Sequence, residues 1–147
     1  MNAYVIDASV AAKWFLPSGG ETLVNEALEL FREYVAGNVR LTAPDLFWPE
    51  LGNVLWKAVR QKRITRSSAA ESIIALEKAM LSTVPSATLL KDAFAIASTF
   101  DQTVYDGTYV ALAVASDMPL VTADERLANA LGAQFPVRWL GGLWFHR

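Results

Sequence analysis

The sequence predicts an α/β fold, a short and mainly parallel sheet flanked by helices on both faces. Compact apolar, β-prone runs alternate along the chain with stretches of helical spacing. With 147 residues, 53% hydrophobic and 19% charged, the chain has the material for one real core. Strands that alternate with helices pair in parallel and are covered on both sides. The expectation is therefore a single domain over residues 1–147.

Taken in order, Tyr4 to Ile6 reads as a buried first strand that stops at Asp7. Ser9 to Phe15 reads as a helix ended by Pro17 and the Gly19-Gly20 pair. Glu21 to Ala36 has helical spacing through Leu23, Ala27, Leu30, Phe31, Tyr34 and Val35, with Gly37 as its C-terminal stop. Val39 to Thr42 is a second strand, cut off by Pro44. Asp45 is the expected N-cap of a helix reaching about Lys62, where Pro49 is tolerable only in the first turn. Ser67 or Ser68 would cap the next helix, with Ala70, Ile73, Ile74, Leu76 and Met80 on its apolar side. A helix over Ser86 to Phe100 would turn Leu89, Leu90, Ala93, Phe94 and Ala97 inward. Asp106 opens a further helix to Ala115, and Pro119 to Thr122 is a compact strand. Asp124 to Leu131 is a short helix stopped by Gly132, and Val137 to Leu140 is a last strand before the tail Leu143-Trp144-Phe145.

Composition removes several chemistries. There are no cysteines, hence no disulfide, thiolate zinc site or cysteine nucleophile. The one histidine, His146, lies next to the last residue, so a Ser-His-Asp triad has little to rest on. The N-terminus lacks a basic leader, and no run approaches the roughly 20 apolar residues of a membrane span. The protein is expected to be soluble and cytoplasmic. The net charge of −2 decides nothing about nucleic acid. Lys57, Arg60, Lys62, Arg63 and Arg66, however, form a run without an acid among them. That run reads either as a phosphate-holding patch or as a solvated helix end.

In parallel α/β folds, ligands bind beyond the carboxyl ends of the strands. Asp7 directly follows the first strand, and Asp124 follows a later one in Leu120-Val121-Thr122-Ala123-Asp124. Asp106 starts a helix after Val104-Tyr105, and Glu50 lies just past Pro49. All four acids could converge at one sheet edge. Clustered carboxylates repel unless a cation neutralises them, and hard oxygen ligands suit Mg²⁺ or Mn²⁺. Such an ion can activate a water for attack on phosphorus. Taken singly, Asp7, Asp106 and Asp124 also read as helix caps and Glu50 as a first-turn acid. Asp45, Asp92, Asp101 and Asp117 are left as caps or solvated faces.

The whole pattern resembles the PIN-domain ribonucleases, and most closely the VapC-type toxins of prokaryotic toxin–antitoxin pairs. The resemblance rests on Val5-Ile6-Asp7-Ala8-Ser9-Val10-Ala11-Ala12-Lys13-Trp14, on Pro44 to Asn53 around Glu50, on Tyr105-Asp106-Gly107-Thr108-Tyr109-Val110-Ala111-Leu112-Ala113, and on Leu120 to Leu127. These segments come in the family's order and span nearly the whole chain. The resemblance implies a three-layer α/β/α PIN-like fold and a metal-dependent endoribonuclease. It also implies a homodimer, an RNA substrate and a small antitoxin that fills the active-site groove. It assigns the acidic metal quartet to Asp7, Glu50, Asp106 and Asp124, with Ser9 and Thr122 as supporting hydroxyls. Asp7, Asp106 and Asp124 would hold the metal, and Glu50 would complete the set or orient the attacking water. It also favours an RNA-binding role for Lys57, Arg60, Lys62 and Arg63, while Lys13 receives no catalytic role. Gly107 stands where similar proteins often carry alanine, and is expected only to weaken the helix start slightly.

Of the five tryptophans, Trp14, Trp48, Trp56, Trp139 and Trp144, most are expected in the core, with Trp144 and Phe145 the candidates for a dimer or antitoxin contact. A catalytically inactive PIN-like RNA-binding module and a non-toxin RNA-processing nuclease are the alternatives. A dehalogenase-like site would need an aspartate where Ser9 stands, and a phosphoacceptor receiver a lysine after a late strand. Neither fits.

Overall fold

The computed structural model describes residues 1–17 and 21–143. Five strands form one parallel sheet in the order β3-β2-β1-β4-β5. They are β1 (Asn2–Ile6), β2 (Val39–Pro44), β3 (Ser82–Val84), β4 (Leu120–Thr122) and β5 (Val137–Trp139). The helices are α1 (Ala8–Phe15), α2 (Val24–Val35), α3 (Phe47–Arg60), α4 (Arg66–Lys78), α5 (Leu90–Phe100), α6 (Val104–Ser116) and α7 (Glu125–Leu131). Two short 3₁₀ turns, Ser86–Leu89 and Leu140–Gly142, complete the described elements. The predicted parallel sheet with flanking helices is the observed architecture.

β1 is central, with Tyr4 opposite Leu41 on one side and Val5 opposite Leu120 on the other. Val5, Ile6, Leu120 and Val121 are wholly buried, as expected for strands covered on both faces. After β1 the chain winds outward through β2 and β3, then returns across the sheet to β4 and β5. The crevice beyond the carboxyl ends of β1 and β4 is therefore the topological switch point. α6 is buried from Gly107 through Ala113, nearly all round, because it lies between β1, β2 and α5. Trp14 Nε1 donates to the Ala27 carbonyl at 2.8 Å and fixes α1 against α2.

Several expectations are corrected. Asp45 does not cap α3; its Oδ1 accepts from the Ser86 amide at 2.9 Å, and Leu46 takes the cap position with no side-chain bond. Pro49 does fall in the first turn of α3. The cap of α4 is Thr65, whose hydroxyl accepts from the Ser68 amide at 3.0 Å, and neither Ser67 nor Ser68 plays that part. Only Ala69 and Leu76 of α4 are buried, while Ile73, Ile74 and Met80 are exposed, because α4 packs chiefly on α3. α2 begins at Val24 rather than Glu21. The segment from Ser86 divides into a 3₁₀ turn and α5, and Phe94 is 63% exposed, with Leu90 also in solvent. Asp106 lies inside α6, which Thr103 caps. β3 has no counterpart among the expected strands. Trp14, Trp48 and Trp139 pack against the core and Trp56 is exposed; Trp144, Phe145 and His146 lie outside the described residues. No helix among the described residues is long and apolar enough to cross a membrane.

Candidate active site

β1 ends at Ile6, and the chain turns at once into α1. Asp7 is the N-cap, and its Oδ1 accepts from the amides of Ser9 at 3.1 Å and Val10 at 3.4 Å. Ser9 Oγ donates to the same oxygen and accepts from the Ala123 amide at 3.1 Å, so one hydroxyl ties α1 to the end of β4. The Thr122 hydroxyl accepts from the Asp124 amide at 3.1 Å and lies close enough to Asp7 to favour its charged form. A capping carboxylate is normally favoured in its charged form by the helix N-terminus. Asp7 is instead raised above the usual carboxylate range. Burial is the main cause, since the residue is only 8% exposed; Ser9, Thr122 and the Val10 amide oppose it, and the Asp106 charge adds to it.

Glu50, in the first turn of α3, lies within electrostatic range of Asp7 and Asp106. Burial first, then the negative charges of Asp7 and Asp106, push it up to about 7. Its Oε1 is buried without a hydrogen-bond partner, and so is the Tyr109 hydroxyl. The two groups act on one another electrostatically yet stop short of good hydrogen-bond geometry. Tyr109 is also raised, by burial and then by Glu50 and Asp7. Sequence alone puts Tyr109 among the residues of a core helix; the signal of a further role is a hydroxyl on a helix apolar all round, which must meet something polar.

Asp106 is the third residue of α6, and its amide donates to Thr103 Oγ1 at 3.0 Å. Its carboxyl is raised by burial, with Asp124 adding and Thr103 and Arg126 opposing. Asp124 follows β4 and caps α7 through the Leu127 amide at 3.2 Å, while Oδ2 pairs with Arg126 at 3.4 Å. The structure thus brings Asp7, Glu50 and Asp106 within electrostatic range of one another, with Asp124 reaching Asp106. The cap reading holds for Asp7 and Asp124 and fails for Asp106. Among the described residues, no group of three or more histidine, cysteine or carboxylate side chains is arranged as a ready-made metal-ligand set.

The basic run is not a row of equivalent free cations. Arg60 lies over the Trp56 ring, 5.6 Å from its centroid. Arg63 NH2 pairs with Glu21 Oε1 at 3.0 Å, and Lys13 Nζ pairs with Glu21 Oε2 at the same distance. Lys62 stands just past α3 at a left-handed φ of 59°. A cleft of about 430 Å³ between α1 and α3 is lined by Ser9, Lys13, Glu21, Lys57, Arg63 and Asp124 among others. It adjoins the acidic site at Ser9 and Asp124.

The PIN-domain family profile matches residues 4–131. This chain belongs to the PIN-domain family. Ribonuclease VapC3 of Pyrobaculum aerophilum is 33% identical over 131 residues, 88% of this chain and 95% of that one. Ribonuclease VapC1 of Mycobacterium tuberculosis is 31% identical over 132 residues, 90% and 93% of the two chains. These relatives place the chain among the VapC-type PIN proteins, the likeness expected from its motifs. Solved structures show the same fold at low identity. A Pyrobaculum aerophilum crystal structure superposes with a TM-score of 0.68 at 19% identity, covering 95% of this PIN chain and 92% of that one. Mycobacterium tuberculosis VapC20, described as a sarcin–ricin loop cleaving toxin, gives 0.62 at 14% identity, with 90% and 95% covered. A toxin–antitoxin complex from Klebsiella pneumoniae gives 0.55 at 15%, with 92% and 95% covered.

Proposed function

We propose that this PIN chain is a metal-dependent endoribonuclease, the toxin of a toxin–antitoxin pair. In this reading Asp7, Glu50, Asp106 and Asp124 hold Mg²⁺ or Mn²⁺. The observation that carries it is Glu50. Its buried oxygen has no hydrogen-bond partner, and burial with the charges of Asp7 and Asp106 pushes its carboxyl up to about 7, which supports acids gathered with little counter-charge beyond Arg126. The donors are hard oxygens, which suit Mg²⁺ or Mn²⁺. A bound ion supplies acidification of a water and neutralisation of the phosphate.

The chain's own residues do the rest. Ser9 holds Asp7 in one orientation, with Thr122 beside it, so it meets a ligand with little reorganisation. Glu50, with a free oxygen, orients the attacking water or completes the ligand set. Asp124 is held at the mouth of the site by its cap bond. The relatives' names as ribonucleases support the reaction class, and the likeness to the Klebsiella toxin–antitoxin complex supports an antitoxin as partner. A homodimer is part of the same proposal. The alternative, an RNA-binding module without activity, draws on the absence of a ready-made ligand set among the described residues.

Cleavage of structured RNA by the purified protein separates the two. The nuclease reading expects cleavage with Mg²⁺ or Mn²⁺, none with EDTA, and a loss of about a hundredfold or more in folded Asp7→Asn and Asp106→Asn variants. RNA binding with no cleavage under any metal condition supports the inactive module.

A further inference from the structure

Lys13 lies in α1 among buried neighbours and is itself only 8% exposed. A buried ammonium needs an anion. The anion it has is Glu21, whose two carboxylate oxygens are divided: Oε2 goes to Lys13 and Oε1 to Arg63, each at 3.0 Å. Glu21 is held in its charged form by Lys13 and Arg63, against its own partial burial. Lys57 lines the same cleft, so at this end the wall carries three cations around Glu21, while Asp124, the other acid of the lining, pairs with Arg126. The cleft ends at Ser9 and Asp124, and Ser9 touches Asp7. Ser9 and Lys13 are one helical turn apart on the same face of α1.

The carboxylate of Glu21 has the features of a phosphodiester: one negative charge shared by two oxygens, each oxygen offered to a different cation. Arginine forms its strongest pairs with such planar or tetrahedral oxyanions. We propose that Lys13 and Arg63 form a subsite for an RNA backbone phosphate adjacent to the one at the acids, and that Glu21 occupies this subsite until RNA displaces it. Glu21 is then an internal competitor that sets how tightly RNA binds. This deepens the nuclease reading and rests on it for the identity of the ligand.

The test is fluorescence anisotropy of a short fluorescein-labelled single-stranded RNA in EDTA, across a salt series, with melting temperatures for every variant. Glu21→Gln should tighten binding about fivefold, the scale of losing one competing, partly exposed ion pair. Arg63→Gln should weaken binding and lower the salt slope by about 0.7, the value of one single-strand phosphate contact. The double variant should lose the gain of Glu21→Gln. Unchanged or weaker binding by folded Glu21→Gln overturns the proposal. If Glu21→Gln does not fold, Arg63→Gln decides alone, since that side chain is a third exposed and closes no helix bond; an unchanged salt slope overturns the subsite. The assay needs no catalysis. Metal-dependent cleavage with no effect of Glu21→Gln removes the subsite and leaves the nuclease. The fivefold gain without any cleavage keeps the subsite and removes the nuclease.

Discussion

Asp7 carries two roles that pull against each other. As the cap of α1 it accepts amides that favour its charge, while burial and Asp106 disfavour that charge. Ser9 resolves part of the conflict, because its hydroxyl serves Asp7 and fastens the end of β4 at once. Ser9→Ala should leave the fold intact and cost about 10–100-fold in Mn²⁺ affinity, the usual effect of removing a bond that orients a metal ligand; calorimetric titration reads this directly, and unchanged affinity would free Ser9 of that role. Glu50 makes a prediction about pH. Its folded value of about 7 lies above its ordinary 4.5, so between these values the folded chain binds more protons than the unfolded one. Stability without metal is then lost as pH rises through that window. Thermal melts in EDTA from about pH 5 to about pH 8 should show a falling melting temperature, flattened in Glu50→Gln. A flat profile in the wild type would deny the buried charge. Position alone leaves each acid equally readable as a helix cap or first-turn residue, and only the family resemblance joins the four. Their environments are not legible, because burial and the partnerless Tyr109 hydroxyl arise only when distant segments meet.

The elements that frame the site show where local pattern misleads. By helix propensity alone, Gly107 is a mild weakness in α6. A Cβ there would lie 2.4 Å from the Ala93 carbonyl oxygen, so α5 and α6 approach by their backbones and glycine is what permits it. Gly107→Ala should therefore destabilise by about 1–3 kcal/mol, as overpacking does, despite alanine's better helix propensity. Urea unfolding measures this, and a stabilised variant would rule out the close approach. The same geometry explains Phe94: α5 faces α6 through Ala93 and Ala97, and the larger residues beside that stripe are left outside. Asp45 has the residue type and position of a cap, yet it bonds Ser86 across to the next segment, a contact 41 residues away that no local rule reports. β3 escapes pattern-based reading because Ser82-Thr83-Val84 is short, polar and largely exposed. The fully buried Phe47, at the first position of α3, lies next to the segment that carries Glu50; Phe47→Ala should cost about 3–5 kcal/mol by equilibrium unfolding.

Across the molecule as a whole, strand order places the chemistry. The chain reverses direction across the sheet at β1 and β4, and the acids just after these two strands flank the resulting crevice. The parallel sheet and the places of Asp7 and Asp124 just after strands are legible because each depends on short apolar runs and the residues immediately after them. The ion pairs of the basic run are not, since Glu21 lies 8 residues from Lys13 and 42 from Arg63. The proposed chemistry turns on whether Asp7, Glu50, Asp106 and Asp124 together hold a divalent cation. Titration of Mn²⁺ into the metal-free protein by calorimetry, beside folded Asp7→Asn and Asp106→Asn, decides that point. Saturable Mn²⁺ binding by the wild type is expected, with both substitutions abolishing it or weakening it by about a hundredfold. Wild-type protein that binds no Mn²⁺, or variants that bind it as well as wild type, would refute the four-carboxylate site.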